Sequence, residues 1–250
     1  MKTKLSFYLL LIAFTLSLSS CYNVYIPNMH NASLIKEAEE LKVTANPANL
    51  QVAYSPVENF LVVGNGFYKN NNSLDGDLDF NYRARRFFAE GGLGLYQPFG
   101  DEGVFEIIGG GGVGSVEFGD NFNPKSAEFR FKANNNKFFV QPSIGYVDKN
   151  IEIGFSLRAV GLQFHSIEED SFPLSELEFF QLHRLDEAMF FFLEPAITVR
   201  AGIEWVKGHF QLMYVNNLTG VPVHHKVIAA NLGVTFNLAP RYKKDKTPEQ

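Results

Sequence analysis

A single cysteine stands in 250 residues, which excludes an internal disulfide and any multi-thiolate metal site. Basic residues do not outnumber acidic ones. Lys+Arg 22 against Asp+Glu 27, a net charge of −5, leaves no positive surplus to grip nucleic acid. Beyond the first twenty residues no run of about 18 apolar residues occurs, so no later segment reads as a membrane-spanning helix. The glycine runs Gly91-Gly92-Leu93-Gly94 and Gly109 to Gly114 lack the strand-to-helix turn and following Lys-Ser/Thr of a phosphate cradle. Glu168-Glu169-Asp170 lacks the Asp-x-Asp-x-Asp spacing of a calcium loop and reads as a solvated acidic edge. With 46% hydrophobic and 20% charged residues, the composition is globular and excludes wholesale disorder. Phenylalanine is the surplus, at 25 residues.

Residues 1–20 read as an address. Lys2 and Lys4 form a positive start, and Leu5 to Leu18 is an apolar stretch too short to span a bilayer. It ends in Leu18-Ser19-Ser20-Cys21, which resembles the lipobox of bacterial lipoproteins. In such proteins Cys21 becomes the first residue and carries acyl chains. Each buried CH₂ contributes about 0.8 kcal/mol, so several chains anchor firmly. The alternative is an ordinary secretory peptide with a stray cysteine.

The remainder alternates apolar and polar residues in stretches of about ten, the period of a β-strand. From Phe191 to Trp205 every odd position is apolar, while the even ones carry Glu194, Arg200 and Glu204. The stretches 151–159 and 228–238 repeat the pattern. The lengths exceed those of a soluble sandwich strand, and the polar face is rich in glycine and mixed charge. That suits a wall with lipid outside and a tight polar lumen inside. Ten candidate strands follow: 38–45, 50–56, 58–68, 82–97, 104–118, 127–147, 150–165, 188–206, 208–217 and 226–238. Ala133-Asn134-Asn135-Asn136 could split the sixth in two. Short and long links alternate, failing only at Asn46–Asn49, as in barrels with short periplasmic turns and long external loops. An even count returns both ends of the wall to the periplasm, where a lipidated Cys21 is expected. Phe87, Tyr96, Phe99, Tyr146, Trp205, Phe210, Tyr214 and Phe236 lie near strand ends and are expected in aromatic girdles. A water-soluble β-lipoprotein with these faces as its core is the competing reading.

The chain also resembles a family of small outer-membrane β-barrel lipoproteins of Bacteroidota. The resemblance rests on Tyr25-Ile26-Pro27-Asn28, Lys36-Glu37-Ala38-Glu39, Gln51-Val52-Ala53-Tyr54, Gln141-Pro142-Ser143-Ile144-Gly145, the run Glu194 to Gly202, and Gly233-Val234-Thr235-Phe236. It implies a location and a fold, and no particular activity. One departure is the close: the last strand ends near Phe236–Leu238 and a basic tail follows, read as solvated.

The expected architecture is therefore all-β: an up-and-down antiparallel transmembrane β-barrel of about ten strands, eight to twelve, with one short helix in an external loop. Residues 1–20 are the signal peptide. Residues 21–35 are a lipidated linker that lies along the periplasmic rim or plugs the lumen, 36–238 the barrel, and 239–250 the tail. The helix is expected after Pro173, where Ser175 and Glu178 fit a capping box and Leu177, Phe180, Leu182 and Leu185 recur at near-helical spacing.

Parity places Glu90, Glu106, Glu152, Arg158, Glu194, Arg200 and Glu204 in the lumen. A barrel of this size is nearly filled by its side chains, so these groups are expected to form a hydrogen-bonded plug of Arg–carboxylate pairs. An ion path or a paired-carboxylate active site would use the same residues. His165, His183, His224 and His225 fall near the external end and are the candidates there, with no readable nucleophile–base spacing. No catalytic residue, metal or cofactor is assigned. The expected partners are outer-membrane lipid and an envelope protein, with no nucleic acid. The expected function is a non-enzymatic structural or accessory part of an envelope complex, against a narrow pore or a barrel-mouth hydrolase acting on lipid or peptide.

Overall fold

The computed structural model describes residues 23–74, 81–119, 130–170 and 182–244. Strands β1 (Leu41–Ala45), β2 (Asn49–Val57), β3 (Phe60–Leu74), β4 (Asn81–Phe99), β5 (Gly103–Gly119), β6 (Arg130–Val147), β7 (Ile151–Asp170), β8 (Phe190–Ile203) and β9 (Val206–Tyr214) follow in order. A two-residue β10 (Asn216–Asn217) and a long β11 (Ile228–Leu238) complete the set. Successive strands pair antiparallel as far as β9, β11 pairs with β9, and β1 pairs with β11. The sheet therefore closes on itself. Because β10 continues the stave begun by β9 along β8, the wall has ten staves.

Local chemistry places the turns. Asn59 sits at φ 62 in the two-residue β2–β3 turn, a left-handed conformation asparagine tolerates. Gly100 takes φ 55 after β4. The Asn46–Asn49 link is tight because the Asn46 Oδ1 accepts from the Ala48 and Asn49 N–H groups at 2.9 and 2.6 Å. Strand β6 is continuous through Asn134–Asn136 rather than split. The β6–β7 register shifts between Lys132 and Asn134, where Ser166 takes φ 52 and relieves the mismatch as a bulge. Past this bulge β7 runs on to Asp170, so Glu168-Glu169-Asp170 ends a strand instead of lying in a loop. Of the expected loop helix, residues 171–181 lie outside the described residues, and the described end is one 3₁₀ turn, Leu182–Arg184.

The outward faces are apolar. Leu93, Phe138 and Leu232 are 58, 59 and 71% exposed, and they belong to a continuous belt around the wall. In water so large an apolar surface has no stable place, whereas a bilayer of about 30 Å covers it. Outward charge sits at the wall's two ends. Arg85 and Arg130 meet Glu117, and Lys132 meets Glu168, at the long-link end. Lys149 meets Glu204 at the short-turn end. The belt's rims carry Phe87, Phe99, Tyr146, Tyr214 and Phe236, but Tyr96 does not belong with them. It is 3% exposed, points inward and bonds the Ser55 hydroxyl, because it shares the parity of Glu90.

Much of the phenylalanine surplus lies inside. Phe88, Phe118, Phe131, Phe164, Phe190 and Phe192 pack into one buried cluster in the long-link half. The glycines make room for it: a Cβ on Gly114 would stand 2.4 Å from the Phe88 ring, and one on Gly110 2.8 Å from that of Phe139. The tail begins docked. Ala239 and Tyr242 are buried, and Arg241, starting a helical turn to Lys244, bonds Glu37 and Glu40.

Candidate functional site

The lumen holds the chain's own N-terminal segment. Residues 23–40 form no helix or strand beyond a single bridge, Tyr25 to His225. An irregular backbone inside a barrel needs partners for its N–H and C=O groups. Side chains of the wall supply them.

Near the long links the Arg86 Nε donates to the Asn23 carbonyl at 2.8 Å. The Tyr25 hydroxyl donates to Glu194 at 2.7 Å, and its ring stacks on Phe192 at 4.6 Å. At mid-depth the Gln211 side chain accepts from the His30 N–H at 2.8 Å and donates to its carbonyl at 3.0 Å. Gln51 and Asn65 both donate to the Met29 carbonyl at 2.9 Å, and Gln141 donates to that of Asn31. Deeper, the Arg200 Nη2 donates to the Ala32 carbonyl at 2.6 Å. Glu106 accepts from the Ser33 N–H, the Ser33 hydroxyl and the Leu34 N–H at 2.9, 2.6 and 2.9 Å. Leu34 takes φ 52 there, and its side chain fills a notch beside Gly145 and Gly154.

The charges pair behind this segment. Glu90 meets Lys137 and Arg158, each at 3.1 Å. Glu152 meets Lys42 at 3.1 Å and both Arg200 and Lys207 at 2.8 Å. Arg158 also donates twice to the side-chain Oε1 of Gln141 and lies over the Phe139 ring at 4.6 Å. Leaving any one of these ions alone in the interior would cost several kcal/mol. An interior void beside Asn31, Asn65, Glu90 and Arg158 measures about 10 Å³, roughly the room of one water.

Glu90, Glu106, Glu152, Arg158, Glu194 and Arg200 all face this interior and are buried. Glu204 is a correction: β8 ends at Ile203, so the alternation stops one residue earlier and Glu204 turns to Lys149 at 2.5 Å. The lumen's cations are also more numerous than two arginines, since Lys42, Lys137 and Lys207 are buried there. The external histidines do not meet as a cluster. His165 lies exposed on the outer wall beside Asn134, and His183 is exposed on the 3₁₀ turn. The His224 carbonyl accepts from the Val24 and Tyr25 N–H groups, and the His225 ring meets the Phe192 edge at 5.5 Å. Among the described residues no group of three His, Cys, Asp or Glu side chains could hold a metal ion. Cys21 lies outside the described residues.

Reading the strands alone misses His30, which enters on the threaded segment. Its Nδ1 lies 2.8 Å from the Ser156 hydroxyl and its Nε2 3.5 Å from Glu194. A serine, an imidazole and a carboxylate in line are the parts of a nucleophilic site. All three are 0% exposed, so here they form a packed junction between the segment and the wall.

No protein-family model matches the chain, and no curated protein does. Among solved structures it is similar to the translocator domain of the autotransporter NalP from Neisseria meningitidis. The identity is 9% over 79% of this chain and 85% of that one, with a TM-score of 0.43. It is also similar to the KdgM porin, at 8% identity over 80% of this chain and 98% of that one, TM-score 0.30. OmpT of Vibrio cholerae follows at 6% identity, 80% and 95% coverage, and TM-score 0.24. The chain's own geometry defines its class: a closed ten-stranded antiparallel barrel of outer-membrane type with its lumen filled.

Proposed function

We propose that this barrel is a non-enzymatic structural or accessory component of an envelope complex, held in the outer membrane both by its wall and by lipid on Cys21. The signal peptide, the lipidation and the kinship with the Bacteroidota lipoproteins belong to this reading. One observation carries it: the lumen is occupied by residues 23–40, and wall side chains bond the backbone of this segment from Met29 to Ser33. A pore needs an open path, and a hydrolase needs a nucleophile that substrate can reach. The filling of the lumen supports the structural reading over both. What such a molecule still offers is its rigid outer wall and its long-link face.

Two measurements test the proposal. In planar bilayers the purified full-length protein is expected to give no ion-conducting steps, and steady steps would overturn the closed-lumen reading. On semi-native gels of outer membranes solubilised in mild detergent, the unheated protein is expected in a species well above the mass of a single mature chain, collapsing to the monomer on boiling. A monomeric unheated band would refute the complex.

A further inference from the structure

The threaded segment has a direction. The turns Glu58–Asn59, 100–102, 148–150 and 204–205 lie at one end of the barrel, and the strand ends Leu74, Asn81, Gly119, Arg130, Asp170 and Phe190, which flank the long links, lie at the other with the link 218–227. In outer-membrane barrels the short-turn end is periplasmic and the long-link end external. Residues 34–40 sit at the short-turn end. The Lys36 ammonium donates to the Asp101 carbonyl in the β4–β5 turn, the Glu39 N–H donates to the Ser55 carbonyl, and Leu34 fills its notch near the β6–β7 turn. Residues 23–25 sit at the other end. Tyr25 bridges to His225 in the β10–β11 link, and Arg86, in the outer third of β4, holds the Asn23 carbonyl. The backbone thus crosses the lumen from the external mouth to the periplasmic rim before β1 begins.

From this we infer that the mature N-terminus emerges at the external face, so that the lipid on Cys21 is seated in the outer leaflet at the cell surface and not in the periplasmic leaflet. Two residues of chain reach at most about 7 Å, so Cys21 cannot stray from the mouth at which Asn23 is held. Among the described residues, Phe88, Phe118, Phe131, Phe164, Phe190 and Phe192 occupy the interior at that level and compete with acyl chains for it. Below the charged rim of Arg85, Glu117, Arg130 and Lys132 the outer wall is apolar, with Phe87, Val113 and Phe138 exposed, and each CH₂ placed against lipid there gains about 0.8 kcal/mol. A periplasmic anchor would require the segment to leave the lumen, stripping Glu106, Gln211 and Arg200 of their backbone partners.

That Cys21 carries lipid rests on the function proposed above; the direction of threading rests on geometry alone. The experiment separates them. In the full-length chain, Tyr22→Lys places an amine beside Cys21, and an epitope after Gln250 marks the C-terminus. Intact cells are treated with a membrane-impermeant amine reagent and with antibody, before and after permeabilisation of the outer membrane, and the N-terminal peptide is weighed. The expected result is equal labelling of the substituted position before and after, antibody binding only after, and an acylated peptide. Labelling that needs permeabilisation would overturn the external terminus. A labelled peptide without acyl mass would leave the threading standing and remove the surface anchor. An unchanged heat-dependent gel shift of the variant keeps misfolding out of either outcome.

Discussion

Replacing Glu106 by alanine tests whether the threaded segment holds the barrel together. Its carboxylate accepts three hydrogen bonds, all from Ser33 and Leu34. A hydrogen bond to a charged acceptor contributes about 1.5–3 kcal/mol, so three set an upper limit of about 9 kcal/mol. Removing the carboxylate also removes the cost of keeping it out of water, which is several kcal/mol. The balance is a loss of about 2–5 kcal/mol, dominated by two backbone N–H groups left buried without acceptors. Glu106→Gln keeps one oxygen to accept from them and is expected to lose about 1 kcal/mol. Urea unfolding in lipid vesicles, followed by the heat-dependent gel shift, gives the stabilities. Glu117→Ala is the control, because that carboxylate pairs with Arg130 on the outer surface at 2.8 Å and is expected to matter by less than about 1 kcal/mol. Equal midpoints for Glu106→Ala and Glu117→Ala, with the N-terminal segment still resistant to protease, would refute the argument that the segment is a structural part of the barrel.

Leu93→Arg tests the belt: a cation at mid-bilayer is expected to cost about 2–4 kcal/mol in vesicles, and a neutral effect would mean that the face meets water. Gly145→Ala would bring a Cβ to 2.7 Å from the Leu34 side chain and 2.9 Å from the Ile153 carbonyl, for an expected loss of about 1–3 kcal/mol. Leu34→Ala should recover part of it in a double-mutant cycle, and strict additivity would deny the contact. Burial alone would raise the Glu40 carboxyl, but Lys42, Arg241 and the Lys36 N–H outweigh it and hold it below the ordinary carboxylate range. A depressed carboxyl stabilises fully above its unfolded value and loses that contribution as pH falls through its folded one. The emission of Trp205, whose ring lies 6.5 Å from that of Tyr242, is therefore expected to hold from about pH 7 to about pH 5 and to shift on further acidification. Arg241→Ala should shift it at neutral pH, and indifference to both changes would sink the clamp.

The wall was legible because alternation is local. Each strand announces its own two faces, and Glu90, Glu106, Glu152, Arg158, Glu194 and Arg200 follow from counting in twos. The same count reaches Lys137 and Lys207, but Asn134-Asn135-Asn136 imitates a turn and hides the parity of Lys137. Glu204 fails because alternation does not say where a strand stops. Leu182 and Leu185 are buried at the described end of the expected loop helix, whose residues 171–181 lie outside the described residues.

The threaded segment was legible only as one of two places for residues 21–35, and the reason is physical. Its backbone has no partner strand and so needs no periodicity. Four consecutive carbonyls are matched by side chains from different parts of the wall: that of Met29 by Gln51 and Asn65, that of His30 by Gln211, that of Asn31 by Gln141 and that of Ala32 by Arg200. Those glutamines and asparagines look, within their own strands, like ordinary polar lumen positions of a channel. Their amides become specific only when the N-terminal chain is laid across them, since each must give a donor to a carbonyl at one depth. An aqueous pore would not require such matching, because water would satisfy any of these groups. The matching is thus what distinguishes a barrel built around its own terminus from a channel that happens to be blocked, and it is why loss of a single wall residue such as Glu106 should be felt by the whole fold.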